Sequence, residues 1–185
     1  MKRIFLAADI EADEKFIRYF KEIHDSLPGK SIKWVNPLQM HITLRFFGDT
    51  DDDDILKISK AVLRATQNFP AFDSGFVSLG VFKSLSRPHV IWAGCENPDN
   101  LKNLKFVIDK ELSGEGFLPD RSDYSPHLTL GRIRDFHQRI RLGDIIEKYR
   151  DTQFLMQHFG SVILYESRLR PSGPEYIAIQ EFRLK

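Results

Sequence analysis

The chain has 185 residues, 42% of them hydrophobic and 29% charged, the composition of a soluble protein with one well-buried domain. Its formal net charge of +1 supplies no global basic field of the kind that grips duplex DNA by its phosphates, although local arginines suffice for a small anion or an RNA end. A lone cysteine, Cys95, excludes an intrachain disulfide framework and fits a reducing compartment. The first apolar stretch is broken by Asp9, Glu11 and Asp13, so no signal peptide is expected. No run reaches membrane-spanning length, and the expectation is a cytoplasmic protein without a membrane or protein partner, active as a monomer.

In chain order, residues 3–9 read as a short buried strand. Residues 12–27 place Phe16, Phe20, Ile23 and Leu27 at helical spacing behind an acidic first turn, and Pro28-Gly29 ends that helix. A loop through Trp34 and Pro37 leads to a strand over residues 40–47, closed by Gly48. The acidic run Asp51 to Asp54 is a solvated helix start rather than a metal site, because Ile55, Ile58, Val62 and Ala65 follow at helical spacing. A strand over residues 72–82 comes next. The pattern then begins again, with a strand at 90–95 and Asn97-Pro98 as N-cap and first helical proline. The helix that follows carries Leu101, Leu104, Ile108 and Leu112 and stops at Gly114 and Gly116. A second strand opens after Pro126. Beyond it are a helix over 136–149 containing Gly143, a long strand over 153–166, and a final strand over 176–184.

The informative motif is His-x-Thr-Leu, written as His41-Ile42-Thr43-Leu44 and again, 86 residues later, as His127-Leu128-Thr129-Leu130. The same offset takes Ser86 to Ser172, Pro88 to Pro174 and Ile91 to Ile177. It also superposes the strand at 3–9 on that at 89–95 and the helix at 12–27 on 98–113. The chain therefore reads as one domain, residues 1–185, made of two pseudo-symmetric lobes, in an α+β fold with antiparallel sheets lining a central cleft. A pseudo-two-fold would bring the tetrad strands side by side and both histidines into that cleft.

On a strand, residues i and i+2 share a face, so each tetrad presents an imidazole and a hydroxyl together. A single strand histidine is more often a surface or satisfied core residue, and His24, His89, His137 and His158 are read that way. Core packing has no need for the same polar couple in both repeats. Threonine is a poor zinc ligand, and no His-x-x-x-His, His-Glu-x-x-His or Cys-x-x-Cys completes a metal shell. No Gly-x-Ser-x-Gly, Walker or dinucleotide glycine pattern occurs either, so no cofactor is expected. Two imidazoles without metal suit displacement at phosphorus. One accepts a proton from the attacking oxygen, the other donates one to the leaving oxygen, and the threonine hydroxyls donate to the non-bridging oxygens. A bell-shaped pH dependence with an optimum at roughly pH 6–8 follows. An arginine would add fixed charge. Strand parity puts Arg45 on the histidine face and Arg132 on the opposite one.

The doubled tetrad resembles the two-histidine phosphoesterases, and within them the RNA 2′,3′-cyclic phosphodiesterase (2′-5′ RNA ligase) family. Arg3-Ile4-Phe5-Leu6-Ala7 is similar to that family's opening strand, and Trp34-Val35-Asn36-Pro37 with residues 41–48 to its first motif. Residues 126–132, Pro-His-Leu-Thr-Leu-Gly-Arg, resemble its second motif. Gly173-Pro174-Glu175-Tyr176 and Phe182-Arg183-Leu184 resemble its closing hairpin. Phe47 stands where leucine is commoner, a packing difference. The resemblance implies a bilobed fold, no metal, and hydrolysis of RNA terminal 2′,3′-cyclic phosphates to 2′-phosphates, with reversible ATP-independent 2′-5′ ligation. It implies His41 as proton donor, His127 as proton acceptor, and Arg132 rather than Arg45 as the phosphate-binding arginine. The substrates would be RNA ends or small cyclic nucleotides. The alternatives are a two-histidine esterase for another small substrate, such as an ADP-ribose cyclic phosphate or a 2′-5′ oligoadenylate, and a non-catalytic RNA-end binder.

Overall fold

The computed structural model describes the chain apart from residues 28–30, 121–122, 135–138 and 172 and the side chains of residues 139–141. Pro28-Gly29, Phe136, His137 and Ser172 lie outside the described residues. The first repeat contributes β1 (Lys2–Asp9), α1 (Glu14–Ser26), β2 (Ile32–Trp34), β3 (His41–Thr50), α2 (Asp52–Thr66) and β4 (Phe72–Phe82). The second contributes β5 (Val90–Cys95), α3 (Asp99–Gly114), β6 (His127–Ile133), α4 (Arg139–Lys148), β7 (Gln153–Phe159), β8 (Ser161–Arg170) and β9 (Gly173–Arg183).

The strands form two antiparallel sheets, one ordered β3-β1-β8-β9 and the other β2-β6-β5-β4-β7. The fold is α+β, with helices on one face of each sheet. Alternation decides which face is buried: Ile42 and Leu44 on β3, Ile91 and Ala93 on β5, and Leu128 and Leu130 on β6 all turn into the core. The sheets exchange helices. From the first repeat, α1 packs on the second sheet, where Tyr19 meets Phe154 of β7 and Phe20 meets Trp34 of β2, both edge-on. From the second repeat, α3 packs beside α2 and against β3 of the first sheet.

The acidic run is a helix start, as its spacing predicts. Asp51 accepts a hydrogen bond from the Asp54 backbone N–H at 2.8 Å, and Asp52 to Asp54 occupy the first turn of α2. Asp13 caps α1 in the same way. Three expectations need correction. The loop through Trp34 contains β2, because its backbone finds partners on β6. The start of α3 lies one residue later than expected, with Pro98 at the cap position and no side-chain cap from Asn97. The long strand over 153–166 is two strands that break at Gly160, where the chain leaves one sheet for the other. Apolar runs at 154–156 and 162–165 flank Gly160-Ser161 closely enough to read as one strand, which hides the crossing.

Candidate active site

The tetrad strands β3 and β6 do not pair; they belong to different sheets and meet across a cleft of about 470 Å³. His41, Thr43, His127, Thr129 and Arg132 all line it, and Arg45 lies outside it. The same local irregularity in both strands explains this. On β3, Ala7 of β1 faces Thr43 while Leu6 faces Arg45, so Leu44 is an extra residue. On β6, Trp92 of β5 faces Thr129 while Ile91 faces Gly131, so Leu130 is an extra residue. Each bulge shifts strand parity by one. Arg45 and Gly131 consequently turn inward and are buried, while Phe46 and Arg132 turn outward. The parity expectation for the two arginines is reversed by these bulges.

Each imidazole is tethered alike. His41 Nδ1 donates to the Gln39 carbonyl at 2.9 Å and His127 Nδ1 to the Ser125 carbonyl at 2.8 Å, in both cases two residues back. This fixes the tautomer and leaves Nε2 as the free nitrogen. An aromatic ring stands edge-on to each: Tyr176 to His41 at 5.2 Å and Phe82 to His127 at 4.6 Å between centroids. Burial pushes both histidines below their ordinary value, the backbone tether opposes it, and the Arg132 charge adds to the lowering. One feature is not shared. Asp9 sits across from His41 on β1 and raises its pKa, whereas Gly94 takes the matching place opposite His127. The Asp9 carboxylate also accepts a 2.6 Å hydrogen bond from Tyr165.

Arg45 pairs instead with Asp109 of α3 at 2.6 Å, and its second guanidinium nitrogen donates to the Leu118 carbonyl. Lys105 joins the network through Asp109 and Asp120. The corresponding position on β6 is Gly131 because a Cβ there would come within 2.9 Å of Ile32 and 3.0 Å of Trp34 on β2. Arg132 has no ion pair among the described residues and can receive an anion. Its counterpart on β3 is Phe46, 60% exposed, so the two bulges deliver a cation from one strand and an aromatic ring from the other. Asp9, Phe46, Phe82 and Tyr176 escape a reading of the sequence, since only strand register brings them to the histidines. Among the described residues no group of three His, Cys, Asp or Glu side chains converges on one point, and no helix is long and apolar enough to cross a membrane.

The duplication has a counterpart in a known family. A family model described as LigT like Phosphoesterase matches residues 8–92 and again residues 94–176, one match per tetrad. The RNA 2′,3′-cyclic phosphodiesterase of Methanothermobacter thermautotrophicus is 33% identical over 184 residues, 98% of either chain. That of Methanocaldococcus jannaschii is 33% identical over 180 residues, 97% of this chain and 99% of the relative. Among solved structures, a Thermus thermophilus protein superposes with a TM-score of 0.80 at 23% identity, covering 98% of this chain and 97% of that one. E. coli LigT complexed with 3′-AMP superposes with a TM-score of 0.79 at 20% identity, covering 100% and 98%. Two tethered histidines on duplicated strands, and a family model matched once to each copy, place this chain in the LigT-like family of two-histidine phosphoesterases.

Proposed function

We propose that this phosphoesterase opens RNA terminal 2′,3′-cyclic phosphates to 2′-phosphates without a metal. The observation that carries the proposal is the pair of imidazoles, each pinned through Nδ1 and each with Nε2 free at one cleft. The names of the archaeal relatives support the substrate class. Water attacks phosphorus while His127 Nε2 takes its proton. The P–O3′ bond breaks, and His41 Nε2 gives its proton to O3′, leaving a 2′-phosphate. Asp9 beside His41 alone favours that histidine as the proton-bearing partner. Thr43, Thr129 and Arg132 line the same cleft, and in this reading they donate to the non-bridging oxygens, where charge is held during transfer. A 5′-hydroxyl in place of water would form a 2′-5′ linkage through the same two proton transfers. A binding protein needs no two titratable groups with matched tethers, so the non-catalytic alternative accounts for less of the site.

The test is product regiochemistry on 2′,3′-cyclic AMP in the presence of EDTA. The expected product is 2′-AMP at a rate EDTA does not change. Formation of 3′-AMP, or loss of activity in EDTA restored by zinc or manganese, would overturn the mechanism.

A further inference from the structure

Trp92 is the one large aromatic residue on the cleft side of β5, facing Thr129 across the ladder to β6 and Gly80 across the ladder to β4. Its indole lies flat on the sheet over two glycines. A Cβ at Gly80 would fall 2.3 Å from Trp92 Cη2, and one at Gly94 would fall 3.2 Å from Cζ3. The indole N–H has no acceptor among the described residues, so the glycine floor rather than a hydrogen bond holds the plane. The ring is partly buried: one face rests on the backbone of the two glycines, and the residue lines a cavity with what remains exposed. Phe82 continues the surface, 5.5 Å from Trp92 and edge-on to His127 at 4.6 Å.

These rings border a second cavity of about 310 Å³, bounded also by Pro98, Lys102, Ser125 and His127. His127 lines both this cavity and the catalytic cleft, so the two lie side by side at that residue. The volume is at the lower end of ligand pockets, which run from about 300 to 1,000 Å³. The first sheet differs at this register position, since Ala7 stands opposite Thr43 where Trp92 stands opposite Thr129. We propose that the cavity-lining side of Trp92 stacks the base of the nucleotide immediately 5′ to the reacting terminal nucleotide, with Lys102 at the rim beside the phosphate that joins them. This rests on the proposed RNA-end activity and adds a second base subsite to it. An aromatic plane beside a cation is the usual equipment for holding single-stranded nucleic acid without reading its sequence, since every base has a π-face.

The experiment compares kcat/KM for a 2′,3′-cyclic mononucleotide with that for a dinucleotide ending in the same cyclic phosphate. The wild type should prefer the dinucleotide. Trp92→Leu keeps an apolar cover on the glycines but removes the plane, and should lower the dinucleotide-to-mononucleotide ratio by about 5- to 150-fold, the range that base–aromatic stacking supplies. Trp92→Phe should fall between. Since Trp34 and Trp92 are the two tryptophans, Trp34→Phe leaves Trp92 as the fluorophore. A dinucleotide with a terminal 2′-phosphate should quench it saturably, and far more strongly than the mononucleotide 2′-phosphate. Equal losses on both substrates in Trp92→Leu, or equal quenching by both probes, would overturn the subsite. If the wild type hydrolyses neither substrate, the proposed activity fails, and the quenching comparison still decides the subsite.

Discussion

His41 and His127 have the same tether and different neighbours, and the difference can be measured. His41→Ala and His127→Ala should each reduce turnover by roughly 10²–10⁴, because either change deletes one proton-transfer partner, with the double variant far from multiplicatively worse. Thr43→Val and Thr129→Val delete only a hydroxyl and should cost less, about 10–10³ in rate. Asp9 raises the His41 pKa, so Asp9→Asn should let His41 lose its proton at lower pH and move the alkaline limb of the rate profile downward. An alkaline limb that does not move would deny Asp9 that influence. The two arginines should separate by assay. Arg132→Lys keeps the charge but loses the planar fork, so catalysis should suffer while the urea midpoint holds. Arg45→Met should do the reverse. It leaves Asp109 inside the protein with only Lys105 for company, and breaking a buried pair costs up to about 3–5 kcal/mol.

At the scale of strands and helices, the sequence is most legible where one period runs unbroken and least where the chain departs from it. The buried stripes of α2 and α3 and the couples His41/Thr43 and His127/Thr129 are where their spacing puts them. A bulge leaves no mark in composition: Leu44 and Leu130 look like any apolar strand residue, yet they decide that Arg132 and not Arg45 reaches the cleft. Family resemblance carried Arg132 where periodicity could not. Gly48 reads as a strand end, but β3 runs on to Thr50 through a second irregularity, with Gly48 at a φ of +76°. Only glycine takes that backbone freely, so Gly48→Ala should destabilise by about 1–2 kcal/mol, seen as a lower denaturation midpoint with the catalytic residues untouched. A wild-type midpoint in this variant would show that the turn relaxes.

Taken as a whole, the molecule surrounds both histidines with low-polarity material, and its pH behaviour should show it. The base must be neutral and the acid protonated, so activity falls below the pKa of the first and above that of the second. Burial takes both below the ordinary value of about 6.5, so the kcat/KM optimum of the free enzyme should lie on the acid side of that value rather than across roughly pH 6–8. A bound phosphodiester anion raises both, so the kcat profile should sit at higher pH, and each limb describes the pair rather than one histidine. A kcat/KM optimum above pH 7.5 would contradict the burial. The exchange of helices between sheets has a separate consequence. With α1 seated on the second sheet, α3 on the first, and β4, β8 and β9 crossed over as well, neither repeat contains the parts of a finished layer. A chain severed in the exposed stretch around Ser84 to Arg87 should therefore give two fragments that are each unfolded alone. Mixed together, they would reassemble into an active heterodimer, as two strands of a rope hold only when laid around each other.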